Sequence, residues 1–347
     1  IKYFARHKPP VSVHIYIRMK KRIVRICAIG LILAIVTVSV FFAYPALTEK
    51  EQAEAEGVND ILRVWHIDTF EGGKGSRASF LGAAAKKFEK KNKDVLVMVV
   101  PHSVSSARVA LDAGEAPDMI SFGTGGAICP ELFLPLEKYD FPYSKQNGKT
   151  YAVPWCRGNY MFFTLDGDFT DMTAENTVIS EGNYSMALVA AACESLAGGQ
   201  AKSSVSAYVD FLNGKYKYLF GTQRDVARLN TRGAAYTAKP AESFSDLYQY
   251  IAVLSSDAAK YNACLDYVAL LLSESVQKDL KGVGMMSAYY SIYDESNAAL
   301  QDAEKISAAA GVSAFIEENS YAEMRVLAAE ALGGNGESLK KMKNFLI

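Results

Sequence analysis

Histidine, cysteine and tryptophan are scarce in this chain of 347 residues, which holds four, five and two of them. Past residue 48 only His66 and His102 remain, and neither has a second His or Cys at metal-ligand spacing, so no metal site is expected. There is no CxxC pair, and the four cysteines beyond the N-terminal region (Cys129, Cys156, Cys193, Cys264) are too few and too dispersed for a disulfide scaffold. Isolated disulfides and buried free thiols both remain open. No GxSxG nucleophile elbow occurs, and Gly72-Gly-Lys-Gly-Ser76 fails the phosphate-loop spacing. Asp166-Gly-Asp168-Phe-Thr-Asp171 lacks the glycine and the closing acidic residue of a calcium loop, which leaves a solvated turn. No carboxylate pair stands out for glycoside hydrolysis. No catalytic residue and no cofactor is expected, and the chain is read as a non-enzyme. Internal repeats and low-complexity stretches are also missing.

Negative charge is absent before Glu49. Eight of the 37 Lys and Arg lie upstream of it, and the other 29 face 38 acidic residues, a net of −9 for the body. A basic tail on an acidic body argues against nucleic-acid binding, which needs a basic face. It fits membrane topology instead. The uncharged run Ile26–Tyr44 would span about 28 Å as a helix, enough for a bilayer core. The positive-inside rule then puts residues 1–25 in the cytoplasm and the body outside. An uncleaved anchor and a cleaved export signal both fit this run. Residues 1–18, ahead of Met19-Lys-Lys-Arg, read as an upstream extension of the reading frame, and 45–60 as a polar linker.

The chain is 50% apolar and 22% charged, ordinary for folded domains, and its length suggests two of them. Residues 61–66, 94–100 and 116–122 read as strands, and the segments from Ser76 and from Ser103 read as helices between them. That alternation implies a parallel sheet with helices on both faces and ligands at the carboxyl ends of its strands. Strands at 151–156, 160–164, 217–220 and 247–254 follow, with helices at 184–196, 203–213 and 221–231. From 257 the pattern is mostly helical.

Four stretches resemble one family. "VWHIDTFEGGKGSR" with "KKFEKKN", "GEAPDMISFG", "GKTYAVPWCRGNYMFFT" and "FLNGKYKYLFGTQRDVARL" are similar, in order, to segments of extracellular carbohydrate-type solute-binding proteins of ABC importers. The resemblance implies an α/β, two-lobed periplasmic-binding-protein-like fold related to maltose-binding protein. Residues 61–165 would form the first lobe, 166–250 the second, and 251–347 a helical part completing both. It implies a receptor for a small hydrophilic ligand, a sugar foremost, that closes by hinge motion and delivers to ABC permease subunits on the extracellular face of the membrane. Two departures stand against a direct transfer of sugar-binding residues: shortened loops across 127–150 and 165–200, and Tyr218-Leu219 in place of the family's Ala-Met. A sensory or scaffold domain without transport, and an extracellular glycan-acting enzyme, are the rival readings.

Sugar recognition needs aromatic faces and hydrogen-bonding groups. Strand-end position puts Trp65, His66 and Asp68 at the mouth of the first lobe, with Glu71, Lys74 and Arg77 around the loop that follows. The resemblance places Trp155, Arg157 and Tyr160 at the crossover, and Thr222 and Arg224 on the facing lobe. Trp65, Trp155 and Tyr160 suit a stacking role or a core role equally well. The loop charges suit binding or plain solvation.

Overall fold

The structure is a computed structural model and describes residues 28–30, 32, 60–67, 74–182, 185–196 and 198–347. The chain divides into two compact units, Ile1–Asn59 and Asp60–Ile347. In the first, residues 28–30 and 32 are helical and exposed; the rest of the expected tail, apolar helix and linker lies outside the described residues. Among the described residues no helix is long and apolar enough to cross a membrane.

The second unit is built on two five-stranded sheets. β1 (Asp60–Ile67), β2 (Val95–His102) and β3 (Met119–Gly123) run parallel in the order β2-β1-β3. β12 (Tyr248–Val253) pairs antiparallel with β3, and β6 (Val153–Arg157) antiparallel with β12. α1 (Arg77–Glu89) and α6 (Ala258–Leu271) cover one face, and α2 (Val104–Asp112) covers part of the other. This two-sided cover explains why Val64, Trp65, His66 and Ile67 are buried consecutively rather than alternately. α1 starts where the sequence places it, because the Ser76 hydroxyl accepts the Ser79 N–H, and it buries Phe80, Leu81, Ala84, Ala85 and Phe88.

The second sheet has the order β11-β7-β10-β8-β9, from β7 (Tyr160–Thr164), β8 (Thr177–Glu181), β9 (Gln200–Ser203), β10 (Tyr218–Thr222) and β11 (Thr237–Pro240). α3 (Ala187–Cys193), α4 (Ser204–Leu212) and α5 (Gln223–Arg232) pack on it. Two short strands, β4 (Lys145–Gln146) and β5 (Lys149–Thr150), form a separate hairpin. Late in the chain come α7 (Glu274–Gln277), α8 (Leu280–Val283), α9 (Ala298–Lys305), α10 (Glu318–Leu332) and α11 (Gly336–Lys343).

Two lobe boundaries differ from the sequence reading. Tyr160–Thr164, expected to close the first lobe, is a strand of the second sheet, since the chain crosses at Gly158–Asn159. Tyr248–Val253, expected to close the second, returns to the first sheet. β8, β9 and β11 are strands that the apolar pattern does not announce. β9 (QAKS) and β11 (TAKP) are edge strands with polar, half-exposed side chains, so they carry no apolar run. All four cysteines of this unit are free thiols.

Candidate functional site

Three segments cross between the lobes side by side. Arg157 and Met286 exchange backbone hydrogen bonds at 2.9 and 3.0 Å, and the Gly158 N–H donates to Leu247 O at 2.6 Å. Gln223, the first residue of α5, accepts the Asn159 N–H on its Oε1 at 3.0 Å while its own N–H donates to Asn159 O at 3.0 Å. The crossover and the start of α5 therefore do meet, through Gln223 rather than Arg224.

Beside this junction lies a cavity of about 300 Å³. Phe141, Arg157 and Tyr248 wall it from the first lobe; Glu304–Ser307, at the end of α9, wall it from the second, because α9 packs on β11 and α5. The segment Ser287–Ser291 closes it, with Tyr289 and Tyr290 43% and 38% exposed. Phe141 and Tyr248 meet edge to face at 5.4 Å. The tyrosine pair is held from below. The Ser287 hydroxyl accepts the N–H of Tyr289 and of Tyr290, both at 3.1 Å, and donates to Gln277 Oε1 at 2.6 Å. Gln277 in turn donates to Trp155 O at 3.0 Å.

Arg157 is largely spent on structure. Its guanidinium donates to Ser287 O at 3.2 Å, Ile306 O at 3.2 Å and Glu304 O at 2.7 Å, which caps the carbonyl end of α9 with a cation. Burial pulls its pKa below the usual guanidinium value. Of its five N–H donors, two remain for a ligand.

The other expected site residues are distributed differently. Trp155 has no exposed surface; it stacks on Phe80 at 5.3 Å and 6° and donates its indole N–H to Ser121 at 3.0 Å. His66 Nδ1 shares the same hydroxyl at 3.1 Å, and Gln249 donates to it at 3.1 Å and to Ile67 O at 3.0 Å. The strand ends of the first sheet are thus laced by a buried polar network that has Ser121 as its hub. Trp65 is buried in the apolar cluster of Ile67, Ile120 and Phe122, with its ring 4.6 Å from that of His102. Asp68 and Glu71 lie outside the described residues. Lys74 is exposed, its N–H donating to Val283 O, and Arg77 is buried in the first turn of α1. Tyr160 is fully buried and donates to the Asp246 carboxylate at 2.7 Å.

Asp246 is a junction residue that the sequence gives no sign of. Its carboxylate also accepts the Met186 N–H at 3.3 Å, while its carbonyl accepts from Thr124 of the first lobe at 2.7 Å. Burial pushes its pKa up to about 6. Thr222 and Arg224 line a second, smaller pocket at the ends of β8 and β10, away from the aromatic one. Tyr248, Tyr289 and Tyr290 escaped the sequence reading; adjacent tyrosines after a short helix are the one signal that marks the pair. Among the described residues no three His, Cys, Asp or Glu come together to hold a metal ion.

No protein-family model and no curated protein matches the chain. Solved structures do. The maltose/maltodextrin-binding domain of Bdellovibrio bacteriovorus bound to maltotriose superposes with a TM-score of 0.54 at 14% identity, over 82% of this chain and 97% of that one. The sugar-binding protein MalE of Xanthomonas citri gives 0.56 at 14%, over 82% and 95%. An ABC substrate-binding protein of Listeria monocytogenes in complex with cycloalternan gives 0.52 at 14%, over 82% and 97%. At such identity the likeness establishes the fold: the chain has the two-lobed fold of ABC sugar-binding proteins, and these neighbours are binding proteins rather than enzymes.

Proposed function

We propose that the chain is a receptor for a small saccharide, bound in the aromatic pocket beside the crossover and handed to an ABC permease. The observation behind this reading is one cavity of about 300 Å³ walled by both lobes, with two partly exposed tyrosines and two serines on a single segment. Tyrosine faces suit the apolar faces of sugar rings, and hydroxyls with the spare Arg157 donors suit sugar hydroxyls. A pocket shared between lobes also couples occupancy to closure, since a ligand there gains contacts only when the lobes approach. Work at the extracellular face, with the apolar run 26–44 as anchor or export signal, belongs to the same reading.

Thermal unfolding of the full chain with maltose, maltotriose and chitobiose tests it. At least one sugar is expected to raise the midpoint saturably. Tyr289→Ala should weaken that binding by about 1–2 kcal/mol, roughly tenfold, with unfolding still cooperative. If no sugar shifts the midpoint, or Tyr289→Ala leaves the affinity unchanged, the reading is wrong.

A further inference from the structure

We propose that the open edge of the first sheet, between β2 and α1, is a docking groove for an extended segment of another protein, apolar in its middle and flanked by acidic residues. The inference is independent of the saccharide pocket. β2 is the outer strand of its sheet, and no described strand pairs with its free side. Its first six residues, VLVMVV, carry no charge, whereas edge strands are ordinarily blunted by charged side chains. Leu96 and Met98 turn to the face away from α1 and are 36% and 44% exposed, beside Ile61 of β1 at 39%. Between the strand and α1 lies a groove of about 480 Å³. α1 lines it with Ala78, Gly82 and Ala85, small residues on successive turns, and a Cβ on Gly82 would meet nothing within 4 Å.

The backbone of this edge is capped over its first half only. The Val95 N–H donates to Asn92 O at 3.1 Å and the Val97 N–H to Glu89 Oε1 at 2.9 Å, while Pro101 has no N–H to give. The same alternation turns Val99 outward, so its N–H and the carbonyls of Val97 and Val99 form the ladder of a short added strand. The charges at the end of the groove then choose the partner. Lys86 lines the groove, and Lys90, Lys91 and Lys93 follow in the turn from α1 to β2. All four are exposed and make no ion pair with a described residue, whereas the neighbouring Lys87 is held by Asp279. Against them stand Asp94 and Glu89, and Glu89 is committed to Val97. On a body of net charge −9, this basic cluster calls for an acidic stretch in whatever lies along the edge. A second copy of the chain does not supply one. Antiparallel pairing of two β2 edges would bring the lysines to the far end of the other strand, where Ser103, Ser105 and Arg108 stand. A lipid surface would meet the lysines but could not continue the backbone ladder.

The test is fluorescence anisotropy of the labelled peptide Glu-Glu-Glu-Val-Thr-Val-Thr-Val-Glu-Glu-Glu with the full chain. Saturable binding is expected. It should weaken about tenfold or more when lysines replace the glutamates, and vanish when proline replaces the central valine and interrupts the added strand. Gly82→Leu fills the groove from a position with open space and improves helix propensity. It should therefore abolish binding while the unfolding midpoint stays level or rises. Lys90→Glu combined with Lys91→Glu should weaken binding about tenfold and remove most of its salt dependence. Binding that ignores Gly82→Leu, or that is equal for the glutamate and lysine peptides, overturns the proposal. So does a dimer in sedimentation that Gly82→Leu dissociates, which would assign the edge to a second copy. Capture by phosphatidylglycerol vesicles with no binding of any peptide overturns it as well and would assign the lysines to a membrane surface.

Discussion

Trp155 and Asp246 show how burial turns a polar or aromatic residue from a binding group into a structural one. Trp155→Ala would leave a large void against Phe80 and remove one of the three partners of the Ser121 hydroxyl, at a cost of about 3–5 kcal/mol. Denaturant midpoints should show that loss even without ligand, whereas Tyr289→Ala should leave the midpoint nearly unchanged. Asp246 gives the protein a pH dependence of definite sign. Its carboxyl titrates at about 6 when folded and at 3.8 in the reference state. Between those values the folded form keeps a proton that the unfolded form has lost, so stability falls as pH rises from about 4 to about 6 and is level above. The full effect is about 3 kcal/mol. Burial raises the Asp225 pKa as well, which adds a slope of the same sign, so the check is a difference. Urea midpoints measured from pH 4 to 7 should fall less in Asp246→Asn than in the parent, and equal slopes would exclude this assignment.

At the scale of elements, the loop after β3 meets α10 so closely that one glycine decides the contact. Gly125 has φ +74°, and a Cβ there would lie 2.9 Å from the Tyr321 ring. Gly125→Ala therefore meets both left-handed strain and a clash, and should cost about 2 kcal/mol or more. Gly114, at φ +83° with open space around it, should lose only the strain, about 1 kcal/mol. Adding Tyr321→Ala to Gly125→Ala should recover the clash component, measured as a coupling in a double-mutant cycle. The start of α5 shows the opposite economy: Thr222 and Asp225 form a reciprocal capping box, and the same residues border the small pocket at the ends of β8 and β10. A cap and a pocket occupy the same place because strand ends and helix starts converge there.

For the molecule as a whole, the lobes are joined by buried hydrogen bonds more than by surface charge. Arg108 on α2 pairs with Glu318 on α10 at 2.9 Å, but both side chains are mostly solvated. Glu318→Gln should change stability by less than about 1 kcal/mol. Gln223→Ala strips the partner from the buried Asn159 N–H and should cost about 1–3 kcal/mol. Calorimetric unfolding of the two variants should rank them in that order; the reverse would mean that the lobes are held by charge.

The residues by themselves determined the strands of the first sheet, its helices, and β7 and β10 of the second, because β1, β3, β7 and α1 carry apolar runs or periods that only burial explains. They also determined the cap at Ser76, since a hydroxyl before a helical period has a local use. Edge strands β9 and β11 were not legible, for half their surface faces water and imposes no pattern. Candidate binding residues were legible only as strand-end positions. Which of them reach a cavity depended on side-chain direction and on contacts with other elements of the fold. Thus Arg157 is held by carbonyls of residues 287, 304 and 306, Trp155 is sealed beneath Phe80, and Tyr289 reaches the pocket through a serine fixed by Gln277. Local sequence sets what a segment can bury and cap; only long-range packing decides which polar and aromatic groups are left facing a ligand.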